Sequence, residues 1–168
     1  MAKKLSVSKS VSQKISFIGL SCLANDYRLL YFTGKSLGLS FAKLEDLPLY
    51  DRNGKIGDFS FYRYTNEDKQ LNFYLISNKS KGQIALSEFR NFDYFLLIDN
   101  HIKAAYQRDL LKNLRLIPIL QAAMNIPIDN VKDLDILLED IELHLINLRK
   151  IEKMKCGLWI ESSSIYEV

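Results

Sequence analysis

The segment Phe92-Asp93-Tyr94-Phe95-Leu96-Leu97-Ile98 constrains this chain more than any other. Successive side chains of a strand point to opposite faces, and past Asp93 both alternating sets are apolar. A strand of that pattern is central in its sheet, with neighbours on both edges. The 168 residues, 48% apolar and 26% charged, suit one globular domain of ordinary size. Unbroken apolar runs do not exceed five residues, as in Tyr94 to Ile98, against about 18 for a bilayer span, so no transmembrane helix is expected.

Residues 1–14 hold four Lys and no acid, without a usable period, and are expected to form a flexible basic tail. They lack an apolar core followed by small residues, so they do not read as a secretory signal, and a cytoplasmic protein is expected. Cys22 and Cys156 form neither a metal spacing nor a disulfide framework and read as free thiols. The net charge of +3 sits in the tail, since residues 15–100 balance ten basic against ten acidic side chains. A mixed-sign solvated surface follows, without the concentrated basic face with which nucleic-acid affinity begins.

Ile15 to Cys22 reads as a buried strand, and Asn25 or Asp26 opens a helix on Tyr27, Leu30, Tyr31 and Leu37 that Gly38 ends. Asp51-Arg52-Asn53-Gly54 marks a loop or hairpin, and Asp58 to Tyr64 and Leu71 to Ile76 form an antiparallel pair. After the central strand come an amphipathic helix on Ile102, Ala105, Tyr106, Leu110 and Leu114 and an extended segment from Ile117 to Ile126. A long helix over 133–155 follows, acidic early and basic late, with Gly157 able to end it. The expected domain covers 15–155, with 156–168 as a C-terminal tail. Its class is α+β: a two-layer sandwich, helices on one face of a mainly antiparallel sheet, similar in outline to ferredoxin-like folds.

Asp26-Tyr27-Arg28-Leu29 opening a helix, Leu86-Ser87-Glu88 followed by Phe92-Asp93-Tyr94, and Leu110 to Pro118 recur together in one known family. Over about residues 15–128 the chain resembles the IPExxxVDY family of small bacterial proteins. Glu88, Asp93 and Tyr94 match the eponymous motif, Leu86 and Phe92 are apolar substitutes, and Ser87 stands where the motif has Pro. The long final helix departs from the family pattern. The resemblance implies a compact cytoplasmic protein and assigns no activity, catalytic residue, cofactor or metal.

The residues themselves point no more strongly to chemistry. His101 and His144 stand apart from any Cys/His or HExxH pattern, and no convergent triad is legible. Gly34-Lys35-Ser36 copies the end of a phosphate loop but lies inside a helix, where it cannot cradle phosphate. We expect no catalytic residue, cofactor or metal ligand. Phe59, Phe61 and Tyr64 resemble the base-stacking aromatics of an RNA recognition motif, although Asp58 would repel phosphate and alternation equally makes Phe59 and Phe61 core residues. Arg28 in a first helical turn opposes the helix dipole, and Asp93 or Glu88 is its expected partner. Tyr27 and Tyr94 read as amphipathic residues at the core edge.

Leu134, Leu137, Ile141, Leu148 and Ile151 give the last helix an apolar stripe, with His144 in the seam. The stripe must dock on its own domain or on a second copy, and self-docking predicts a monomer or weak homodimer. The composite expectation is a non-enzymatic binding or regulatory module mediating protein–protein contact, with Tyr27, Arg28, Glu88, Asp93 and Tyr94 as its structural or partner-contact residues. RNA binding through Phe59, Phe61 and Tyr64 is the alternative.

Overall fold

The computed structural model describes residues 15–163, with side chains described through residue 155. The expected basic tail 1–14 and residues 164–168 lie outside the described residues. In chain order the elements are β1 (Ile15–Ser21), α1 (Asp26–Leu37), β2 (Ala42–Lys43), β3 (Leu47–Asp51), β4 (Gly54–Phe59), β5 (Phe61–Asn66) and β6 (Leu71–Ser77). They continue with β7 (Lys79–Ser80), β8 (Gln83–Ile84), β9 (Tyr94–Asp99), α2 (Ala104–Arg115), β10 (Ala122–Asn125) and α3 (Leu134–Ser163).

β9 lies between β1 and β6 in a six-stranded sheet of order β10-β1-β9-β6-β5-β2, in which every pairing is antiparallel. The subset β1-α1-β6-β9-α2-β10, in the order β10-β1-β9-β6, is the split βαβ arrangement of ferredoxin-like folds. α1 and α2 cover one face, where Leu29, Leu110 and Leu114 pack on Ile18, Phe73, Leu75, Leu96 and Ile98. The α+β class and the long C-terminal helix therefore stand.

The expected two layers become three. Phe17, Phe61, Ile76, Phe95 and Leu97 make the opposite face equally apolar, and the β3–β4 hairpin and the start of α3 cover it with Leu47, Leu49, Leu134, Leu137 and Ile141. Helices thus lie on both faces, because exposed aromatic surface of that extent is unfavourable in water. Gly19 serves this layer: a Cβ there would meet the Phe92 ring at 2.7 Å, so only glycine lets that ring cross β1.

The single strand expected over 58–64 breaks at Ser60, where the chain leaves the hairpin for the main sheet. Ser60 N–H donates to Ser77 Oγ at 2.9 Å, and its carbonyl accepts from Ser77 N–H at 3.0 Å. Of the extended stretch expected over 117–126, Ala122–Asn125 forms a strand. α3 passes Gly157 and reaches Ser163, so residues 156–163 of the expected tail are helical. A glycine permits a helix to end without compelling it, at a cost of about 1 kcal/mol for continuing.

α3 docks on its own chain over its first half. Leu134, Leu137 and Ile141 are buried, whereas Ile146, Ile151 and Met154 are exposed. Tyr50 N–H donates to Asp140 Oδ2 at 2.9 Å, Arg52 pairs with Asp133 at 2.7 Å, and His144 Nε2 donates to the Glu45 carbonyl at 2.9 Å. Among the described residues no helix is long and apolar enough to cross a membrane. Leu137→Ala should lower unfolding stability by about 2–5 kcal/mol, while Ile151→Ala should stay within about 0.5 kcal/mol of the parent. Urea midpoints check this, and equal losses would mean that the second half of α3 is docked as well.

Candidate functional site

Residues 85–92 are wound around one buried side chain. Asn78 is fully buried; its Nδ2 donates to the carbonyls of Phe89 (3.0 Å) and Phe92 (2.9 Å), and its Oδ1 accepts from Leu86 N–H at 2.9 Å. Its own backbone joins Ala85 N–H and the Asp93 carbonyl, both at 2.8 Å. An irregular segment cannot leave its backbone groups unpaired in the interior, and Asn78 supplies partners that a strand would otherwise give.

Glu88, Asp93 and Tyr94 then tie this segment to its surroundings. Glu88 accepts from Lys132 N–H at 3.1 Å, anchoring the entry to α3. Asp93 accepts from Cys22 N–H at 2.8 Å through Oδ2 and from Lys79 Nζ at 2.7 Å through Oδ1. Tyr94 donates to Asp26 Oδ1 at 2.7 Å and lies 3.2 Å from the Ala24 carbonyl. Tyr62, from β5, donates to Asp26 Oδ2 at 2.7 Å. One carboxylate at the first residue of α1 is thus clamped by two phenols.

Burial opposes ionisation of Asp26, but hydrogen bonds from Tyr62, Tyr94 and Ser60 outweigh it and hold its carboxyl below the usual range. Burial and the adjoining carboxylate raise both phenols, which stay protonated donors. Burial likewise raises the Cys22 thiol, which disfavours the reactive thiolate. The arrangement holds protons in place and leaves no nucleophile or poised base among these groups. Its mechanical product is a fixed β1–α1 junction.

On the outside of that junction, Leu23, Tyr27 and Tyr31 are 81%, 67% and 61% exposed. Tyr27, Tyr31 and Lys35 follow one stripe of α1 at helical spacing, with Lys35 Nζ 5.9 Å from the centre of the Tyr31 ring. Arg28 and Lys35 are exposed, and among the described residues neither forms an ion pair.

Several expectations are corrected. Arg28 does not pair with Asp93 or Glu88: Lys79 and a backbone amide occupy Asp93, Lys132 N–H takes Glu88, and Arg28 points to water. The dipole argument fails because an exposed guanidinium is screened by solvent. Phe61 on β5 and Phe59 at the end of β4, the stacking candidates, are fully buried in the core between the main sheet and the layer of hairpin and α3, and Tyr64 lies half-buried between Phe41 and Phe73. They are core residues, so this sheet face presents no platform to a base. Tyr27 is a surface residue and Tyr94 a buried one. Gly34-Lys35-Ser36 lies inside α1.

The sequence singles out neither Asn78 nor Tyr62, and Asp26 only as a residue that opens α1. Tyr62 carried a signal, since a tyrosine on the face opposite Phe61 in a sandwiched strand needs a partner for its hydroxyl. Comparison with known proteins finds no family model, curated protein or solved structure that matches this chain.

Asp26→Asn should cost about 1.5–3 kcal/mol at neutral pH, as expected for hydrogen bonds to a charged group. Because the folded carboxyl titrates below the unfolded one, its contribution is complete above about pH 4 and is lost as pH falls through the folded value. Urea unfolding across that range should show parent and variant converging in acid; parallel curves would contradict an ionised Asp26. Asn78→Ala should cost about 3 kcal/mol or more by stranding three backbone groups, with faster amide exchange over residues 85–92.

Proposed function

We propose that this protein is a non-enzymatic binding module that engages an acidic segment of another protein through the exposed face of α1. The observation that carries the reading is the contrast between Asp26, whose carboxylate is taken inward by Tyr62 and Tyr94, and Leu23, Tyr27 and Tyr31, which are held outward beside it. Exposed tyrosines on a rigid frame offer large contact area at low entropic cost, and tyrosine and arginine are enriched among the residues that dominate protein interfaces. With the Asp26 carboxylate turned inward on Tyr62 and Tyr94, Arg28 and Lys35 are the charged side chains on the exposed face of α1 and favour carboxylates opposite them.

Membership of the IPExxxVDY family belongs to the same proposal and rests on Glu88, Asp93 and Tyr94. On this reading the motif acts at a distance: its Asp and Tyr brace the loop that presents α1. A cytoplasmic location accords with the free thiol of buried Cys22.

Affinity purification of the native protein, with and without RNase, beside a Tyr27→Ala/Tyr31→Ala variant tests the proposal. Captured protein should survive RNase and fall about tenfold or more in the variant. Loss on RNase would reassign the protein to RNA, and undiminished capture by the variant would remove the α1 face as the contact.

A further inference from the structure

On the opposite side of the sheet, a cleft of about 490 Å³ opens between one flank of α3 and strands β1, β5, β6 and β9. Its size falls within the range of about 300–1,000 Å³ typical of small-molecule sites. Leu138, Leu145, Ile146 and Leu97 give it apolar walls. Its polar groups converge from the floor. Arg63 and Tyr74 are register partners on β5 and β6, and both line the cleft.

Arg63 Nη2 donates to Asn72 Oδ1 at 3.0 Å, but Arg63 Nε is buried and has no hydrogen-bond partner. A buried donor left unpaired on a cation is costly, so Arg63 gains by turning its guanidinium toward an acceptor in the cleft that it lines. Tyr74 is set by stacking on Phe61, with ring centres 5.7 Å apart and planes 16° apart. Its hydroxyl has no hydrogen-bond partner among the described residues, and burial raises its pKa, which keeps it a donor. Arg149 adds a second guanidinium from α3, and among the described residues neither arginine forms an ion pair.

We propose that this cleft binds a small amphipathic monocarboxylate, its carboxylate held by Arg63, Tyr74 and Arg149 and its hydrocarbon lying on Leu97, Leu138 and Leu145. The charge balance selects the class. Asp99 and Glu142 also line the cleft and are exposed, so two cations meet two anions before a ligand enters. One further negative charge can be met by the Arg63 and Arg149 guanidinium groups and the phenol, whereas a phosphate dianion would be repelled by the two carboxylates. The apolar walls require a tail and disfavour a small hydrophilic acid.

Titration calorimetry on the full chain with decanoate, decanol, decylamine and decyl phosphate, each below its micelle concentration, tests the assignment. Decanoate should bind about tenfold or more tightly than decanol and decyl phosphate, and decylamine should not bind. Arg149→Glu alters an exposed helix position, so its unfolding midpoint should match the parent while decanoate affinity falls about tenfold or more. Tyr74→Phe should give a smaller loss. Absence of decanoate binding, equal binding of decanol, tighter binding of decyl phosphate, or unchanged affinity in Arg149→Glu would each overturn the proposal.

Discussion

From Tyr94 to Ile98, β9 is buried on both faces. Tyr94, Leu96 and Ile98 enter the core beneath α1 and α2, while Phe95 and Leu97 enter the core beneath the hairpin and α3. Burying one such large side chain is worth about 1.5–3 kcal/mol, so five in succession oblige the rest of the chain to provide two covers. The ferredoxin-like helix pair provides the first. The β3–β4 hairpin and the docked half of α3 provide the second, and that requirement explains why a compact βαββαβ core carries these additions.

A strand buried on both faces leaves its entry as a difficulty, because loops leading into the interior bring backbone polar groups with them. Asn78 resolves it for residues 85–92, and Asp93 and Asp26 resolve it for the β1–α1 junction. These polar groups are internally satisfied, so they specify one loop arrangement at little net cost. The proposed α1 contact depends on that rigidity, since tyrosines on a wandering loop would lose entropy on binding. The cleft beneath α3 lies across the sheet from it, and the two surfaces share no side chain. Either can be altered without dismantling the other.

Much of the frame was legible. The two-faced pattern of Phe92 to Ile98 marked the central strand, the apolar spacing and Gly38 bounded α1, and Asn53-Gly54 placed the hairpin. These are local signals, set by backbone geometry within a few residues. The same two-faced pattern requires cover on both sides of the sheet, which the expected two layers do not supply, and periodicity does not say which element provides it. Phe59 and Phe61 illustrate the gap: alternation puts them on one face, and only the packing of Leu137 and Ile141 against that face makes it core instead of a binding platform.

Arg28 and Asp93 mark the same division among polar groups. Sequence identified both as exceptional and paired them, but Asp93 meets Lys79 and the Cys22 amide, and Asp26 draws its donors from β5 and β9. By itself the sequence determined the α+β class, the central strand, the order of most elements and the apolar stripe that docks α3, because each follows from side-chain spacing against a 2.0 or 3.6 residue period. Only tertiary structure decided the third layer, the two-phenol clamp on Asp26, the exposure of Tyr27 and Tyr31, and the buried, unpaired Arg63 Nε. Each depends on which distant side chain arrives within hydrogen-bonding or packing distance, and that is a property of strand register and layer packing which local spacing does not encode.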